Sequence, residues 1–370
     1  MRQQRTTLQH AVLGIFNSII KLKPSESVLV IGSDQSNSRI VSQAFYQAGL
    51  SLTARSSLIE QTARKENEYM EETVRSAIAS APDVVILTDV SRMGRDRVGE
   101  EKGYMVDGKR LDFIYYAIKA QKKSRVYWFY VDSIPRFIRM LSVDYAEMRR
   151  VGTALVREMT KADAVRIRSA AGTDLTVSLA DKKRKPKADY NGKQHIPGSG
   201  GNLPMGEVLI SPTAAGTNGR FVVDGSFFHV DSNTTLRPSK PFAIDIRDGY
   251  VQRIEQSCAE AKNCSDMVQR ARRQATRMDG RVSASVAKQY YKYARLVGEF
   301  AIGVNPNARI VGDILEDEKA SGTAHIAIGS SYDGERALIH LDLVVRRPEI
   351  SFVYPKGTEK IIVRSGSVLV

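Results

Sequence analysis

SVLVIGSDQSNSRIVSQAFYQAG (residues 27–49) decides the fold of the first part of this chain. Residues 28–31 are a continuous apolar run, Gly32-Ser33-Asp34 is a turn, and the remainder is a helix ending near Gly49. Two more continuous runs follow, DVVILT (83–88) and RVYWFYV (125–131), each after a helical stretch, at about 66–80 and 110–122. Strands that are apolar without alternation are covered on both faces, and helices between them make the connections of a parallel sheet. Residues 1–158 therefore read as an α/β domain with a mostly parallel sheet. The turn GSDQSN lacks G-x-G-x-x-G and a closing acid, so no dinucleotide is expected there.

The first 24 residues, MRQQRTTLQHAVLGIFNSIIKLKP, have the early arginines and short apolar stretch of a signal peptide. Gln9 and His10 precede that stretch, Asn17 and Ser18 interrupt it, and no small-residue cleavage site follows. The better reading is an amphipathic helix packed on the first domain. No apolar run reaches the 18 or so residues of a membrane span.

Beyond about 160 the pattern changes. DAVRIRSAAGTDLTVSLA (163–180) alternates like a hairpin, and strand-like pieces follow at 206–211, 219–224, 241–247 and 250–255. A helical segment with many basic residues, 258–298, separates these from further pieces at 308–315, 322–329, 336–346 and 359–370. Residues 159–370 read as an α+β domain.

The 370 residues allow two cores. An apolar fraction of 42% and a charged fraction of 26% are ordinary for a globular protein. Cys258 and Cys264, the only cysteines, fit no metal or redox motif and read as plain thiols of a reducing cytoplasm. The formal net charge of +14 suits an anionic partner. Its densest block, KKRKPK (182–187), carries a proline and no interleaved aromatics, and with Arg272, Arg273 and Arg277 reads as solvated surface. Nucleic acid is not the expected partner.

Chemistry gathers in the last quarter. In IHLDL (339–343) the His340 imidazole and Asp342 carboxylate share one face of a strand, while Ile339, Leu341 and Leu343 take the other. Two of the five histidines lie here, each beside other potential metal ligands; His10, His195 and His229 match no such pattern. Along the chain the order is NLPMGE (202–207), GEFAIGVNP (298–306), DEKASGTAHIAIGSSY (317–332) and HLD (340–342).

That order and wording resemble the aminopeptidase T family of metallopeptidases, over roughly 200–348. The resemblance implies an α/β N-terminal domain, a mixed C-terminal metal domain and a homodimer. It also implies a metal-binding set of Glu207, Glu299, His325, Tyr332, His340 and Asp342, with Glu299 and Tyr332 catalytic. Such a set suits two ions of zinc, cobalt or manganese, which together polarise a carbonyl and activate a water. The implied activity is a two-metal hydrolase removing N-terminal residues from peptides. Asp317 and Glu318 would orient His325 or accept protons, and Lys319 would balance their charge. The alternative comes from the same superfamily, which includes a ring-opening dihydroxypyridine dioxygenase. There a single Fe(II) would be held by His325, His340 and Asp342, acting on a small-molecule substrate. The compact step of 15 positions between the two histidines departs from leucine-releasing members and fits that alternative.

Overall fold

A computed structural model describes residues 2–65, 68–229, 234–278 and 282–370, with side chains from residue 7 onward. The chain forms two compact units, 1–145 with 190–205, and 146–189 with 206–370. A single boundary near 158 does not anticipate this, because residues 190–205 return to the first unit and add a strand to its sheet.

In the first unit, β1 (Val28–Ser33), β2 (Ser56–Gln61), β3 (Val84–Leu87), β4 (Arg125–Trp128) and β5 (Gly200–Asn202) form one sheet in the order β5-β4-β3-β1-β2. Every pairing in it is parallel, as the apolar runs predict. All six β1 residues and all four β3 residues are buried. The expected N-terminal helix is present as Arg2–Ile15, continued by a wider turn at Phe16–Ile20. It packs on the helix Ser36–Leu50, where the Phe16 and Phe45 rings meet edge to face at 5.9 Å. The stretch expected near 66–80 is helical over Glu72–Ala79; residues 66 and 67 lie outside the described residues.

The second unit holds a seven-stranded and an eight-stranded sheet. The expected hairpin is there, Ala164–Arg168 against Asp174–Ser178, in the larger sheet. The smaller one carries β6 (Glu207–Ile210), β7 (Val297–Gly303), β8 (Ala324–Gly329) and β9 (His340–Val345) as neighbours in the order β9-β8-β7-β6, all antiparallel. The basic segment 258–298 resolves into helices Ala259–Arg277 and Ala284–Tyr293 before β7; residues 279–281 lie outside the described residues. The strand expected at 308–315 is absent. Carboxylates take its backbone N–H groups instead: Arg309 donates to Glu316 at 2.9 Å, Val311 to Asp317 at 2.6 Å, and Leu315 to Asp313 at 3.2 Å. Those bonds compete with a ladder and start a short helix, Ile314–Asp317. Among the described residues, no helix is long and apolar enough to cross a membrane.

Candidate metal centre

Four neighbouring strands deliver the expected residues. Across the register, Glu299 faces Ala327 and Ala327 faces Asp342; one step along, Ala301 faces His325 and His325 faces Val344. Glu207 lies opposite Gly303, and His340 opposite Gly329. Directly paired residues project to the same face. Thus Glu207, Glu299, His325, His340 and Asp342 share one face of the sheet, with Ala301, Gly303, Ala327 and Gly329 between them. These small residues leave the room that long polar side chains need. The ladder between β7 and β8 shifts between Val297 and Glu299, a bulge of the kind that re-aims a side chain.

Glu299 is the hinge of the geometry. Its Oε1 lies 3.6 Å from His325 Nε2, and its Oε2 lies 3.2 Å from His340 Nε2. Glu207 Oε2 is 3.5 Å from His325 Nε2, and Asp342 Oδ1 is 3.3 Å from His340 Nε2. Three overlapping groups have the spacing to hold an ion: Glu207–Glu299–His325, Glu299–His340–Asp342 and Glu318–His325–Asp342. His325, His340 and Asp342 do not close into one such group among the described residues, because the two histidines lie on either side of Glu299. Asp342 shares a group with each histidine, so every member of the single-ion triad expected from the sequence belongs to a candidate group, together with glutamates.

The centre is graded from dry to wet. Glu207, Glu299, Glu318, Lys319 and His325 are buried, while His340 retains 33% of its side-chain exposure. Nδ1 of His340 donates to the Ser330 carbonyl at 3.1 Å, which leaves Nε2 as the ring nitrogen that faces Glu299 and Asp342 and, once deprotonated, can ligate. Beneath, Glu207 is braced through its backbone: Asp189 accepts from Gly206 N at 2.7 Å and from Glu207 N at 3.0 Å. Lys319 ion-pairs with Glu318 and lies 3.5 Å from Glu207 Oε1.

Burial pushes the Glu207 carboxyl up to about 8, and it pushes Glu318 up as well. Burial also works on Glu299, but hydrogen bonds and charge from His325 and His340 outweigh it and hold that carboxyl down at about 2. His325 is held up at about 9: burial opposes its charge, and Glu299 and Glu207 more than offset this. Burial pulls Lys319 down too, yet Glu207 and Glu318 keep its ammonium well above the usual range.

A metal fits this donor set. The donor atoms of Glu299, His340 and Asp342 lie within 4.8 Å of one another at the end of the centre nearer solvent, close enough for one ion to satisfy all three. Carboxylate and imidazole donors together suit a divalent transition metal.

One expectation needs correction. Asp317 does not reach the centre: it accepts from Ser226 Oγ at 2.5 Å and from Val311 and Gly312, so it shapes the preceding loop. Tyr332 is 56% exposed, and its ring meets the His340 ring edge to face at 6.0 Å; the charge of Glu299, with burial, pushes its phenol well above the usual range, so it borders the centre at the rim. Its loop is tied down by Glu335, which pairs with Arg184 and Ser331. Arg184 thus leaves the solvated basic block and braces the rim. Sequence reasoning missed Asp189 entirely, since nothing in ADYNG signals it, and did not place Glu318 among possible ligands.

Fold and centre together define a class: a mixed α/β protein with a buried carboxylate–histidine cluster that could hold a metal ion, as in metal-dependent enzymes. The family model of NicX, 2,5-dihydroxypyridine 5,6-dioxygenase, matches residues 15–326, and the chain belongs to that family. The matched span includes Glu207, Glu299 and His325 and stops short of His340 and Asp342. Among solved structures, 2,5-dihydroxypyridine dioxygenase from Pseudomonas putida aligns with a TM-score of 0.68 and 17% identity, over 99% of this chain and 98% of that one. Wild-type AmpT from Thermus thermophilus aligns with a TM-score of 0.66 and 15% identity, over 99% of both chains. Both share the fold, and the superfamily resemblance drawn from the motifs is borne out by the family match and these two neighbours. No curated protein matches by sequence.

Proposed function

We propose that this chain is a ring-opening dioxygenase acting on a small dihydroxylated aromatic ring, with one divalent iron held by Glu299, His340 and Asp342. Membership of the 2,5-dihydroxypyridine 5,6-dioxygenase family carries this reading. It puts the sequence's second expectation ahead of its first. The geometry supports the choice of residues: Glu299–His340–Asp342 is the group nearest solvent, with His340 and Asp342 partly exposed and Glu299 closing it from beneath. Iron bound there supplies activation of dioxygen and a Lewis-acid contact for a ring hydroxyl.

The rest is done by the chain itself. His340, with Nδ1 committed to Ser330, presents a fixed Nε2. Tyr332 offers an exposed aromatic face beside it, on which a planar ring can pack. The buried Glu299, kept ionised by two histidines, accepts a proton only at a cost and so stays a ligand. Both oxygen atoms of one O2 enter the product, so no separate reductant is consumed. The homodimer implied by the resemblance belongs to this proposal.

A second reading, a two-metal aminopeptidase, is favoured by one observation: the two oxygens of Glu299 face different histidines, as a carboxylate bridging two ions does. Oxygen uptake decides between them. Protein reconstituted anaerobically with Fe(II) and given dihydroxypyridines or catechols should consume one O2 per ring opened. No uptake, together with release of amino acids from aminoacyl anilides by protein loaded with zinc or manganese, would reverse the order.

A further inference from the structure

We infer that Lys319 is a built-in cation that occupies, electrostatically, the Glu207 half of the centre and so limits it to one metal ion. The inference rests on the reading of the centre as metal-binding.

The observation is a lysine with 0% exposure inside a cluster of carboxylates. Lysine is almost never fully buried unless it is paired, because an uncompensated ammonium in a dry interior is costly. Here the partners are Glu318, with which it is ion-paired, and Glu207, whose Oε1 lies 3.5 Å from Nζ. Four carboxylates form the centre, and they divide into two pairs. Glu207 and Glu318 face Lys319; Glu299 and Asp342 face His340. The ammonium thus compensates the deep pair, and a metal ion is left to compensate the pair nearer solvent.

A divalent ion on Glu207 would lie a few ångströms from that ammonium, in a region where water screens poorly. Like charges at such range repel strongly, and neither can move away. Lys319 is fixed by its backbone as well as by its charge. Its N–H donates to Glu316 O at 3.0 Å, and its carbonyl accepts from Asn305 N at 2.9 Å. Gly303 makes this possible: a Cβ there would stand 2.2 Å from Ala320 O and 2.8 Å from the Lys319 carbonyl carbon. The turn carrying Lys319 lies directly on β7, opposite Glu207.

The test is Mn(II) titrated into metal-free full-length protein, with bound ion counted by equilibrium dialysis and spin state read by electron paramagnetic resonance. Wild-type protein should bind one Mn(II) per chain, with the spectrum of an isolated ion. Lys319→Met leaves Glu207 and Glu318 uncompensated, and should bind two, with the spectrum of a coupled pair; Lys319→Arg should still bind one. A wild-type count of two overturns the inference and leaves the metal centre standing, without need of any variant. A count of one in folded Lys319→Met at saturating Mn(II) also overturns it. Lys319→Gln, uncharged but polar, serves the same purpose if the methionine variant does not fold. No Mn(II) in the wild type overturns the metal reading itself.

Discussion

A single carboxylate, Glu299, joins the two histidines, and one substitution isolates that role. Glutamine keeps the size of Glu299 but removes its charge, and only one oxygen remains to face two imidazoles 3.6 and 3.2 Å away. Glu299→Gln should lower bound metal to a small fraction of one ion per chain and lower turnover by roughly 10²-fold or more, since a ligand outweighs the 10–100-fold typical of the groups behind it. Elemental analysis beside the oxygen-uptake assay checks both. The same carboxylate sets a pH dependence. His340 is held well above its usual range in the absence of metal: burial opposes its charge, and Asp342 and Glu299 more than offset this, so near neutral pH it carries a proton that an incoming ion must displace. Metal affinity should therefore rise with pH across the neutral range, by up to tenfold per unit for each proton released. Isothermal titration of Mn(II) between pH 6 and 9.5 measures the slope; a flat profile would mean that His340 is no ligand. At this scale the sequence was informative. Alternation in IHLDL placed His340 and Asp342 on one face, and the register agrees. Lys319 was legible as a balance to the neighbouring acids, and it pairs with Glu318; its burial beside Glu207 was not, because that depends on the turn lying on Gly303.

Elements show why some of the architecture was hidden. The runs at 28–31 and 84–87 are apolar throughout because both faces are covered, and they were legible. The strand Gly200–Asn202 has no side chain beyond one asparagine to announce it, and joins β4 through backbone pairing alone. Adding a Cβ to Gly200 would bring it within 2.0 Å of the Val126 carbonyl oxygen, so close approach and not hydrophobicity selects the residue. Gly303 acts likewise on β7. Gly303→Ala should cost about 1–3 kcal/mol by urea unfolding, as overpacked cores do, because β7 and the Lys319 turn must separate. The helix Tyr145–Lys161 carries a second test. Glu158 accepts from Tyr354 Oη at 2.8 Å, from Lys360 at 3.3 Å and from Lys161 at 3.4 Å. The Tyr354 bond, with the two lysines, outweighs burial and holds its carboxyl at about 2, against 4.5 ordinarily. A carboxyl depressed by folding stabilises above its unfolded value, and this contribution disappears as pH falls from about 4.5 to about 2. Glu158→Gln should cost about 1–2 kcal/mol at neutral pH, in the range of hydrogen bonds to charged groups, and almost nothing at pH 2. Equal losses at both pH values would mean the carboxylate's charge is irrelevant.

On the scale of the whole chain, the centre is a set of like charges that folding brings together, and that concentration has a consequence. Glu207, Glu299, Glu318 and Asp342 come from four separate segments, and Lys319 and the two histidines oppose them from within. An ion that binds the assembled face and not the unfolded chain stabilises by mass action, about 2.7 kcal/mol at a hundredfold excess over its dissociation constant. For a unit of this size, each kcal/mol moves the thermal midpoint by about 2–4 °C, so loading should raise it by roughly 5–10 °C. Hydrogen exchange locates the effect. Protection should grow in β7 and β9, whose backbone carries Glu299, His340 and Asp342, and in β6 and β8 hydrogen-bonded to them, while the parallel sheet β1–β5 exchanges as before. A stabilisation spread evenly over both units would point to nonspecific binding on a chain of charge +14, and it would fade with salt. Stabilisation confined to β6–β9 and retained at high salt would instead mark ligands shielded from solvent. Glu299→Gln supplies the internal control, because its midpoint, lowered in the metal-free protein by loss of the charge that faces two histidines, should not rise when metal is added.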